Sequence, residues 1–420
     1  MTLPTSVGLL CSDWTPDVGS EATHTEGLAR ALLAAGLQVS VLALQPDGTE
    51  PFTVRDTTVG GIHVRRMSVP VGAPGRFEDL LRSPNAERVV RDWLVATGPD
   101  LVHVQHLESY GFGILDALAH SGHPVVVSLH DYWPVCARGG LIRPDGERCR
   151  YPEPETCASC LGNTWLGVSP SPAQISARTR FGRTRLMSVD RVIVPSDAAR
   201  TVYTAAGFDP GRIEVIPVGL EVQSLLMETR KARGAVRTSS GRRLGVLGAV
   251  RPEKGVVNLA HAVAMSGSSD LTLEVHGPLL EQHGDATYRN ALKRIAEHEP
   301  RVRLHGSYSR ADLPRILATL DAVALPSRWA EPAALSLREA RAVGLPVLAA
   351  ARGAALDLGR DPGVRLVYEE GIEAWVDALA GMSWRETEPV RGVSLLQATE
   401  RLLHVYSSVW AGRTSRAQAL

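Results

Sequence analysis

The strongest constraint on the fold is a repeated alternation of short, β-branched apolar runs with longer segments of helical periodicity. It begins with SVGLLCS, ATHTEGLARALLAAG and LQVSVLAL, and it continues through PVVVSLHD and DRVIVPS. Strands connected by helices in this way form parallel sheets that helices cover on both faces. A polar, basic stretch at 227–243 predicts a linker, after which the alternation restarts with RLGVLGAV. The sequence therefore predicts an α/β chain with two doubly wound, Rossmann-like domains.

The restart also sets the predicted domain boundaries. We expect an N-terminal domain over 1–215 and a C-terminal domain over 216–390. The closing segment 391–420 reads as one amphipathic helix that either domain could accommodate. Open α/β sheets bind ligands beyond the carboxyl ends of their strands. Two such domains facing each other across a cleft could therefore each hold one substrate.

Composition excludes several classes of protein. Of the 420 residues, 44% are hydrophobic, which suffices for a large core and argues against global disorder. The net charge is zero, so the basic footprint of a nucleic-acid binder is absent. No apolar run reaches the length of a transmembrane helix, and the N-terminus does not read as a signal peptide. We therefore expect a cytoplasmic protein, with five cysteines in a reducing compartment, and the sequence leaves the oligomeric state open.

The segment GAVRPEKGVVNLAHAV follows a predicted strand and opens a predicted helix. It brings Arg251 and Lys254 next to a helix N-terminus. Free amides and the positive end of the helix dipole favour an anion at such a place, so the segment suits a diphosphate. A solvated loop with ordinary charges explains the same residues about equally well.

The segment PSRWAEPAALSLREARAVGLPV repeats this geometry with acids. Glu331 falls at the turn from strand to helix, Pro332 is the predicted first helical residue, and Glu339 lies two turns further on. Carboxylates accept hydrogen bonds from paired sugar hydroxyls, so the two acids could hold different parts of one extended ligand. The alternative is a capping acid followed by a solvated helix acid.

These two segments resemble the donor half of the retaining GT-B glycosyltransferases of family 4, whose pattern runs E-P-F-G-L-x-x-x-E-A-x-A-x-G-x-P-V. Further matches occur in the family's order and span roughly residues 6 to 380, among them PDLVHVQH, PVVVSLHDYW, RVIVPSDAARTVY and RIEVIPVGLE. The resemblance implies transfer of a sugar from a UDP- or GDP-linked donor to an acceptor hydroxyl, with retention of configuration. It also implies that the C-terminal domain binds the donor, that the N-terminal domain binds the acceptor, and that the last helix packs on the N-terminal domain.

Roles for individual residues follow from the resemblance. His130 and Glu331 are implied at the reacting sugar, with His130 orienting and not acting as a nucleophile. His106 and Asp131 are assigned to the acceptor side, with His24 and His103 as weaker candidates. Because the chain has no Asp-x-Asp triplet, no catalytic metal is expected. Donor binding is implied for Gly19, Ser20, Arg251, Lys254, Ala334, Leu335 and Glu339.

The chain departs from the family pattern at several positions of the donor site. Ala249 stands where the family has an arginine, and Arg251 lies closer to Lys254 than that arginine would. Ala334 replaces a glycine, and Val218 replaces a polar residue. Two alternatives therefore stay open: another GT-B enzyme, such as a nucleotide-sugar epimerase or a phosphorylase, and a catalytically retired glycosyltransferase that acts as a partner protein.

Two further features carry separate hypotheses. One is a loop whose cysteines have the spacing C-x12-C-x7-C-x2-C, which predicts a structural zinc ion, with disulfides or unrelated thiols as alternatives. Cys11 lies outside it and is read as core. The other is the basic segment ISARTRFGRTRLMSVDR, which could meet an anionic acceptor or a membrane surface, or form a solvated helix face. The cysteines are Cys136, Cys149, Cys157 and Cys160, and the arginines are Arg178, Arg180, Arg183 and Arg185.

Overall fold

The computed structural model describes most of the chain. The described residues are 3–12, 14, 20–46, 50–69, 77–108, 110–144, 146–149, 152–165, 169–236, 241–281 and 285–418. The chain divides into two compact units. Unit 1 comprises Met1–Leu141, Cys149–Gly219 and Leu395–Leu420, and unit 2 comprises Ile142–Arg148 and Leu220–Ser394.

Strands and helices alternate along most of the chain. The strands are β1 (Ser6–Cys11), β2 (Gln38–Gln45), β3 (Val54–Val59), β4 (Ile62–Ser68), β5 (Leu101–Val104), β6 (Val125–Ser128), β7 (Arg191–Val194), β8 (Ile213–Val215), β9 (Arg242–Leu247), β10 (Leu271–His276), β11 (Val302–Gly306), β12 (Ala322–Leu325), β13 (Val347–Ala350) and β14 (Val364–Val367). The helices are α1 (Ser20–Ala34), α2 (Pro84–Thr97), α3 (Gly113–His120), α4 (Pro154–Trp165), α5 (Pro172–Ser188), α6 (Asp197–Ala205), α7 (Val222–Val236), α8 (Val256–Met265), α9 (Thr287–His298), α10 (Leu313–Thr319), α11 (Leu335–Ala342), α12 (Ile372–Ala380) and α13 (Leu395–Gln418).

Each unit is built on one sheet. The sheet of unit 1 has the order β3-β4-β2-β1-β5-β6-β7-β8, and only the β3–β4 pair is antiparallel among its described pairs. The sheet of unit 2 has the order β11-β10-β9-β12-β13-β14, and its described pairs are parallel. The strand order reverses between β1 and β5 in unit 1 and between β9 and β12 in unit 2. Ligands bind doubly wound sheets at such reversal points.

The central strands are apolar on both faces because helices cover both. All four residues of β5, of β6 and of β12 are buried. Close packing on β1 needs a glycine, since a Cβ built on Gly8 would lie 2.5 Å from the ring of Trp93 on α2. Small residues therefore let the helices approach the sheets and fix where the strand ends lie.

Two local predictions are wrong, and one pair of strands was not predicted. The stretch 227–243 is not a linker throughout, because α7 continues to Val236 and buries Leu225. The prediction failed because a helix with one narrow apolar face and many basic residues has the composition of a loop. The hairpin of β3 and β4 was missed, although Gly60 and Gly61 mark its turn. Pro332 is not the first helical residue, since α11 begins at Leu335.

Among the helices of the described residues, none combines the length and the apolar character that crossing a membrane requires.

Candidate active site

The centre of the candidate site in unit 2 is an ion pair between two segments that follow neighbouring strands. Lys254 follows β9 and Glu331 follows β12, and the Lys254 ammonium lies 2.6 Å from Oε1 of Glu331. The hydroxyl of Ser327 donates to the same carboxylate oxygen. The ammonium also lies 5.3 Å from the centre of the Trp329 ring, within the range of a cation–π contact. The sheet therefore joins, at its reversal point, two residues that lie far apart in sequence.

The charge state of Glu331 follows from its surroundings. Its side chain is buried, which by itself would raise the carboxyl pKa. The ammonium of Lys254 and the hydrogen bonds from Lys254 and Ser327 outweigh burial, so the pKa of Glu331 falls below its usual value. Glu331 is thus an ionised carboxylate near neutral pH, and a carboxylate only accepts hydrogen bonds.

Two glycines allow the site segments to approach each other. Gly255 directly precedes α8 at φ 68°, and a Cβ there would lie 2.0 Å from the carbonyl oxygen of Pro326. Gly353 has φ 54°, and a Cβ there would lie 2.4 Å from both N and O of Glu331. The amide of Ala354 also donates to the Glu331 carbonyl at 2.7 Å. The backbone of Glu331 is therefore held from two sides, which fixes where its carboxylate lies.

We expect Gly353→Ala to destabilise unit 2 by about 2–4 kcal/mol, because it adds a clash to the cost of a left-handed non-glycine residue. The matched control is Gly267→Ala, since Gly267 has φ 64° with nothing within 4 Å of the added Cβ. It should show only the backbone cost of roughly 1–2 kcal/mol. Urea unfolding of the two variants measures the difference, and equal losses would show that Gly353 does not press on Glu331.

Glu339 lies on α11 and makes a different ion pair. It is buried, and its Oε1 accepts a hydrogen bond from the guanidinium of Arg310. Burial raises its pKa more than the charge and hydrogen bond of Arg310 lower it, so the pKa of Glu339 is raised. Sequence reasoning missed Arg310, which lies beyond β11 in the segment VRLHGSYSRADLPRILATLDAVALPS and was given no role there. The Arg310 side chain is 45% exposed, so a polar ligand could approach the pair.

Ala334, Leu335 and Arg251, the other described residues expected to bind the donor, differ in their surroundings. Ala334 precedes α11 in the left-handed region at φ 48°, ψ 53°, and no side chain caps the first amides of that helix. Leu335 is the first helical residue. The half-exposed guanidinium of Arg251 lies 4.0 Å from Glu253. The backbone carbonyl of Arg251 accepts a hydrogen bond from the amide of Lys254 at 2.9 Å. A non-glycine residue in the left-handed region is unfavourable and is found most often at functional sites.

The N-terminus of α8 is capped by a residue outside the motif. The amide of Val257 donates to the hydroxyl of Tyr288 on α9 at 3.0 Å. Burial raises the pKa of that hydroxyl to about 12, so it remains a neutral phenol. This amide, which the sequence analysis expected to face a diphosphate, already has a partner. The α11 N-terminus, with no side-chain cap, is the better anion position of the two.

In unit 1, His130 lies beyond β6 among other histidines. Its ring centre is 5.0 Å from that of His24 on α1, and its Nε2 is 3.0 Å from Oε1 of Gln105. Burial and then the neighbouring histidines hold the pKa of His130 well below its usual value. His24, His103 and His130 line one cavity, which is also lined by Val218 and by residues of α13. His130 is therefore a neutral side chain at this cavity.

His106 and Asp131, the two residues expected on the acceptor side, lie together. Nε2 of His106 is 3.5 Å from Oδ2 of Asp131, and Glu108 completes a group whose ligand atoms lie within 4.8 Å of one another. These groups can bind sugar hydroxyls, and they are also ligand types that divalent cations accept. Gly19 and the side chain of Ser20 lie outside the described part of the chain; Ser20 is the first residue of α1.

The four clustered cysteines are at intermediate burial, and no disulfide joins them in the described part of the chain. Burial, followed by the effect of Cys136, Cys149 and Cys160, raises the pKa of Cys157 to about 12. Among the described residues, however, they do not form a group with ligand atoms within 4.8 Å, as His106, Glu108 and Asp131 do.

The basic segment of α5 is not a uniform cationic face. Arg178 is 2% exposed, donates to the carbonyl of Trp133 at 2.7 Å and lies over the Trp133 ring. Arg185 pairs with Asp116 at 3.2 Å. Only Arg180 and Arg183 of the four arginines are exposed. Arg178 was thus wrongly counted as available to a membrane or acceptor, because an arginine can be buried when aromatic rings and a carbonyl surround it.

Two family models match the chain. Residues 22–224 match Glycosyltransferase Family 4, and residues 231–384 match Glycosyl transferases group 1. The D-inositol 3-phosphate glycosyltransferase of Mycobacterium tuberculosis (strain H37Ra) is 30% identical over 384 residues, which cover 88% of this chain and 72% of that protein. The MMP alpha-(1->4)-mannosyltransferase of Mycolicibacterium hassiacum is 26% identical over 358 residues, covering 80% and 78%.

Solved structures share the fold. Sucrose-phosphate synthase from Thermosynechococcus elongatus superposes with a TM-score of 0.68 at 18% identity, covering 99% of this chain and 98% of that one. HepE from Anabaena in complex with UDP-glucose gives a TM-score of 0.59 at 18% identity, covering 99% and 100%. The two-sheet architecture is accordingly the GT-B fold. On the family matches and the mycobacterial relatives, the chain is a glycosyltransferase and belongs to glycosyltransferase family 4.

Proposed function

We propose that this glycosyltransferase moves a sugar from a UDP- or GDP-linked donor to an acceptor hydroxyl, with retention of anomeric configuration. The observation that carries the proposal is the Lys254–Glu331 pair at the reversal point of the unit 2 sheet, with ionised Glu331 and the uncapped N-terminus of α11. A cation, an acceptor of hydroxyl hydrogen bonds and free amides are the groups that a nucleotide-diphosphate sugar needs. The HepE structure was solved with UDP-glucose, which supports the choice of donor class.

Lys254 and the first amides of α11 stabilise the diphosphate as it leaves with negative charge. Such preorganised donors act where charge develops in the transition state, and they need no metal-binding triplet. Lys254 is 28% exposed, so a phosphate oxygen can reach the ammonium without displacing buried groups. When it does, the oxygens of Glu331 become available to the hydroxyls of the donor sugar.

Glu339 accepts hydrogen bonds from the ribose hydroxyls, in place of or beside Arg310. Its buried position favours a partner that donates, because an unpaired buried carboxylate is costly. Arg251 is half exposed beside Glu253 and can contribute to donor binding in place of the arginine missing at Ala249. The donor domain corresponds to residues 216–390, and the acceptor domain, with His106 and Asp131 on the acceptor, corresponds to residues 1–215.

Thermal-shift measurements with UDP, GDP and their sugars test the donor. At a hundredfold excess over Kd a ligand stabilises the folded state by about 2.7 kcal/mol, which raises Tm by roughly 5–11 °C for a domain of this size. Lys254→Ala should lose the shift, and Lys293→Ala, which removes an exposed lysine of α9, should keep it. No shift with any nucleotide would favour the catalytically retired protein. NMR of the product with the responding donor then reads the anomeric configuration, and inversion would contradict the proposal.

The proposal includes a structural zinc ion held by Cys136, Cys149, Cys157 and Cys160. Support comes from their spacing, C-x12-C-x7-C-x2-C, because four thiolates from one short segment can bind one tetrahedral ion. We expect about one zinc per chain by elemental analysis, retained in Cys11→Ser, which alters a buried core thiol, and lost in Cys157→Ser. Less than about a tenth of an equivalent with reduced thiols would contradict it.

A further inference from the structure

A buried amide connects two histidines of unit 1. Gln105, directly after β5, is completely buried. Its Oε1 lies 3.0 Å from Nε2 of His130, and its Nε2 lies 3.1 Å from Nδ1 of His103. Its backbone amide donates to Leu10 of β1 at 2.7 Å, which holds the residue at the reversal point of the sheet. Gln105 is therefore rigidly placed between the two rings.

The chemistry of the amide sets the direction of both hydrogen bonds. An amide nitrogen only donates and an amide oxygen only accepts. Nδ1 of His103 must then accept, so the proton of that neutral ring is on Nε2, which donates to the hydroxyl of Ser128 at 2.8 Å. The phenol of Tyr406 on α13 is 2.7 Å from the same Nδ1 and donates to it. At the other end, Nε2 of His130 must carry a proton to donate to Oε1 of Gln105.

We propose that Gln105 is a positioning residue that holds His130 as a neutral ring, with its proton on Nε2 and a free electron pair on Nδ1. In this orientation of the amide, Tyr406 and Ser128 complete the hydrogen bonds of His103, so the network behind the His130 proton includes α13 as well as β5 and β6. The opposite orientation of the amide would place the His130 proton on Nδ1. The tautomer of His130 therefore distinguishes the two orientations of the Gln105 amide.

The titratable groups around His130 favour its neutral form. Those that act on it are His24 from α1, His103 from β5 and His106 beyond β5, and each disfavours a positive charge on His130. His24 and His103 are themselves held neutral, since burial lowers the pKa of His24 to about 4 and that of His103 to about 3. Around neutral pH this part of unit 1 therefore offers hydrogen-bonding groups without net charge.

The consequence for substrate binding rests on the proposed function. A neutral ring with a free Nδ1 pair accepts a hydrogen bond from a hydroxyl and offers no charge to a diphosphate. His130 therefore recognises a substrate hydroxyl and is not a binding group for the diphosphate. A protonated imidazolium would instead donate from both ring nitrogens and attract a diphosphate.

The decisive experiment is long-range 1H–15N NMR of the full chain labelled at histidine nitrogens, with His130→Asn to assign the resonances. In the wild type, His130 should carry its proton on Nε2 and keep Nδ1 unprotonated between pH 8 and pH 6. In Gln105→Leu, both tautomers should appear. A wild-type ring protonated on Nδ1, or an unchanged tautomer in Gln105→Leu, would overturn the proposal. This measurement needs no turnover, so it stands apart from failure of the proposed function.

Turnover against pH gives the second readout. Gln105→Glu places a carboxylate at Nε2 of His130, which raises the pKa of that ring. Turnover of this variant should fall as pH decreases through the raised pKa, and recover at higher pH. Gln105→Leu should lose about 10–100-fold in kcat at all pH values, as when the partner that orients a functional histidine is removed. A Gln105→Glu profile with the wild-type shape would contradict the assignment, because a merely structural loss would not depend on pH.

Discussion

Glu331→Gln should reduce kcat by about 10²–10³-fold, a loss typical of removing one preorganised polar group from an active site. The amide keeps the shape of the side chain but presents a donor as well as an acceptor, and it no longer neutralises Lys254. The ammonium then lacks its partner at 2.6 Å, and the sugar hydroxyls lack an ionised acceptor. The fold should persist, because the backbone contacts of Glu331 with Ala354 are unchanged. Steady-state kinetics with the responding donor and far-UV circular dichroism measure the two effects.

The matched control is Glu370→Gln in the same unit. Glu370 is 51% exposed and pairs with Arg148 at 2.9 Å. An exposed ion pair contributes about 0–1 kcal/mol, so this variant should keep nearly full activity. If Glu331→Gln and Glu370→Gln lost activity equally, Glu331 would have no special role.

Unit 1 should lose stability steeply as the pH falls below 6.5. His24, His103 and His130 all have pKa values in the folded state below their ordinary value, because burial opposes the charged form. The unfolded chain therefore binds more protons than the folded chain below about pH 6.5. Stability is fully present above the unfolded pKa and is lost as the pH falls toward about 4, the folded pKa of His24.

The expected loss is large. One buried histidine contributes about 1.4 kcal/mol of free energy for each pH unit within that window, so three give up to about 4 kcal/mol between pH 6.5 and 5.5. The free energy of unfolding of a domain is roughly 5–15 kcal/mol, so a fall in Tm of several degrees is expected. Thermal unfolding followed by tryptophan fluorescence from pH 7.5 to 5 measures it.

Two variants test whether the buried histidines cause the loss of stability at acid pH. His103→Gln removes one of the three buried histidines, so about two protons and no longer three should contribute to the dependence of Tm on pH. His120→Gln alters an exposed histidine of α3 and should leave this dependence unchanged. A wild-type Tm that stays constant from pH 7.5 to 5 would mean that the three rings are not held neutral in the folded state.

The fold could be read from the sequence because its signal is repeated many times. Each apolar strand followed by an amphipathic helix restricts the topology, and the two parallel sheets follow from that pattern alone. Errors occurred where the local signal was mixed: α7 has the composition of a loop, and α11 starts three residues after Pro332. There the left-handed turn at Ala334 is set by tertiary packing, which no local propensity encodes.

The candidate site was only partly readable. Lys254 and Glu331 lie in motifs that end neighbouring strands, so their proximity follows once the strand order is known. Arg310 and Gln105 could not be found in the same way. Each makes its contact through a hydrogen bond to a residue distant in sequence, and an isolated arginine or glutamine has no distinguishing spacing. Glu–Arg pairing and amide orientation depend on side-chain geometry that only a structure supplies.

The most direct test is a crystal structure of the protein with the nucleotide-sugar that gives the largest thermal shift. We predict phosphate oxygens within about 3 Å of the Lys254 ammonium, a sugar hydroxyl on the Glu331 carboxylate and the ribose on Glu339. A nucleotide bound elsewhere, with the Lys254–Glu331 pair intact and no ligand atom on either side chain, would contradict the account.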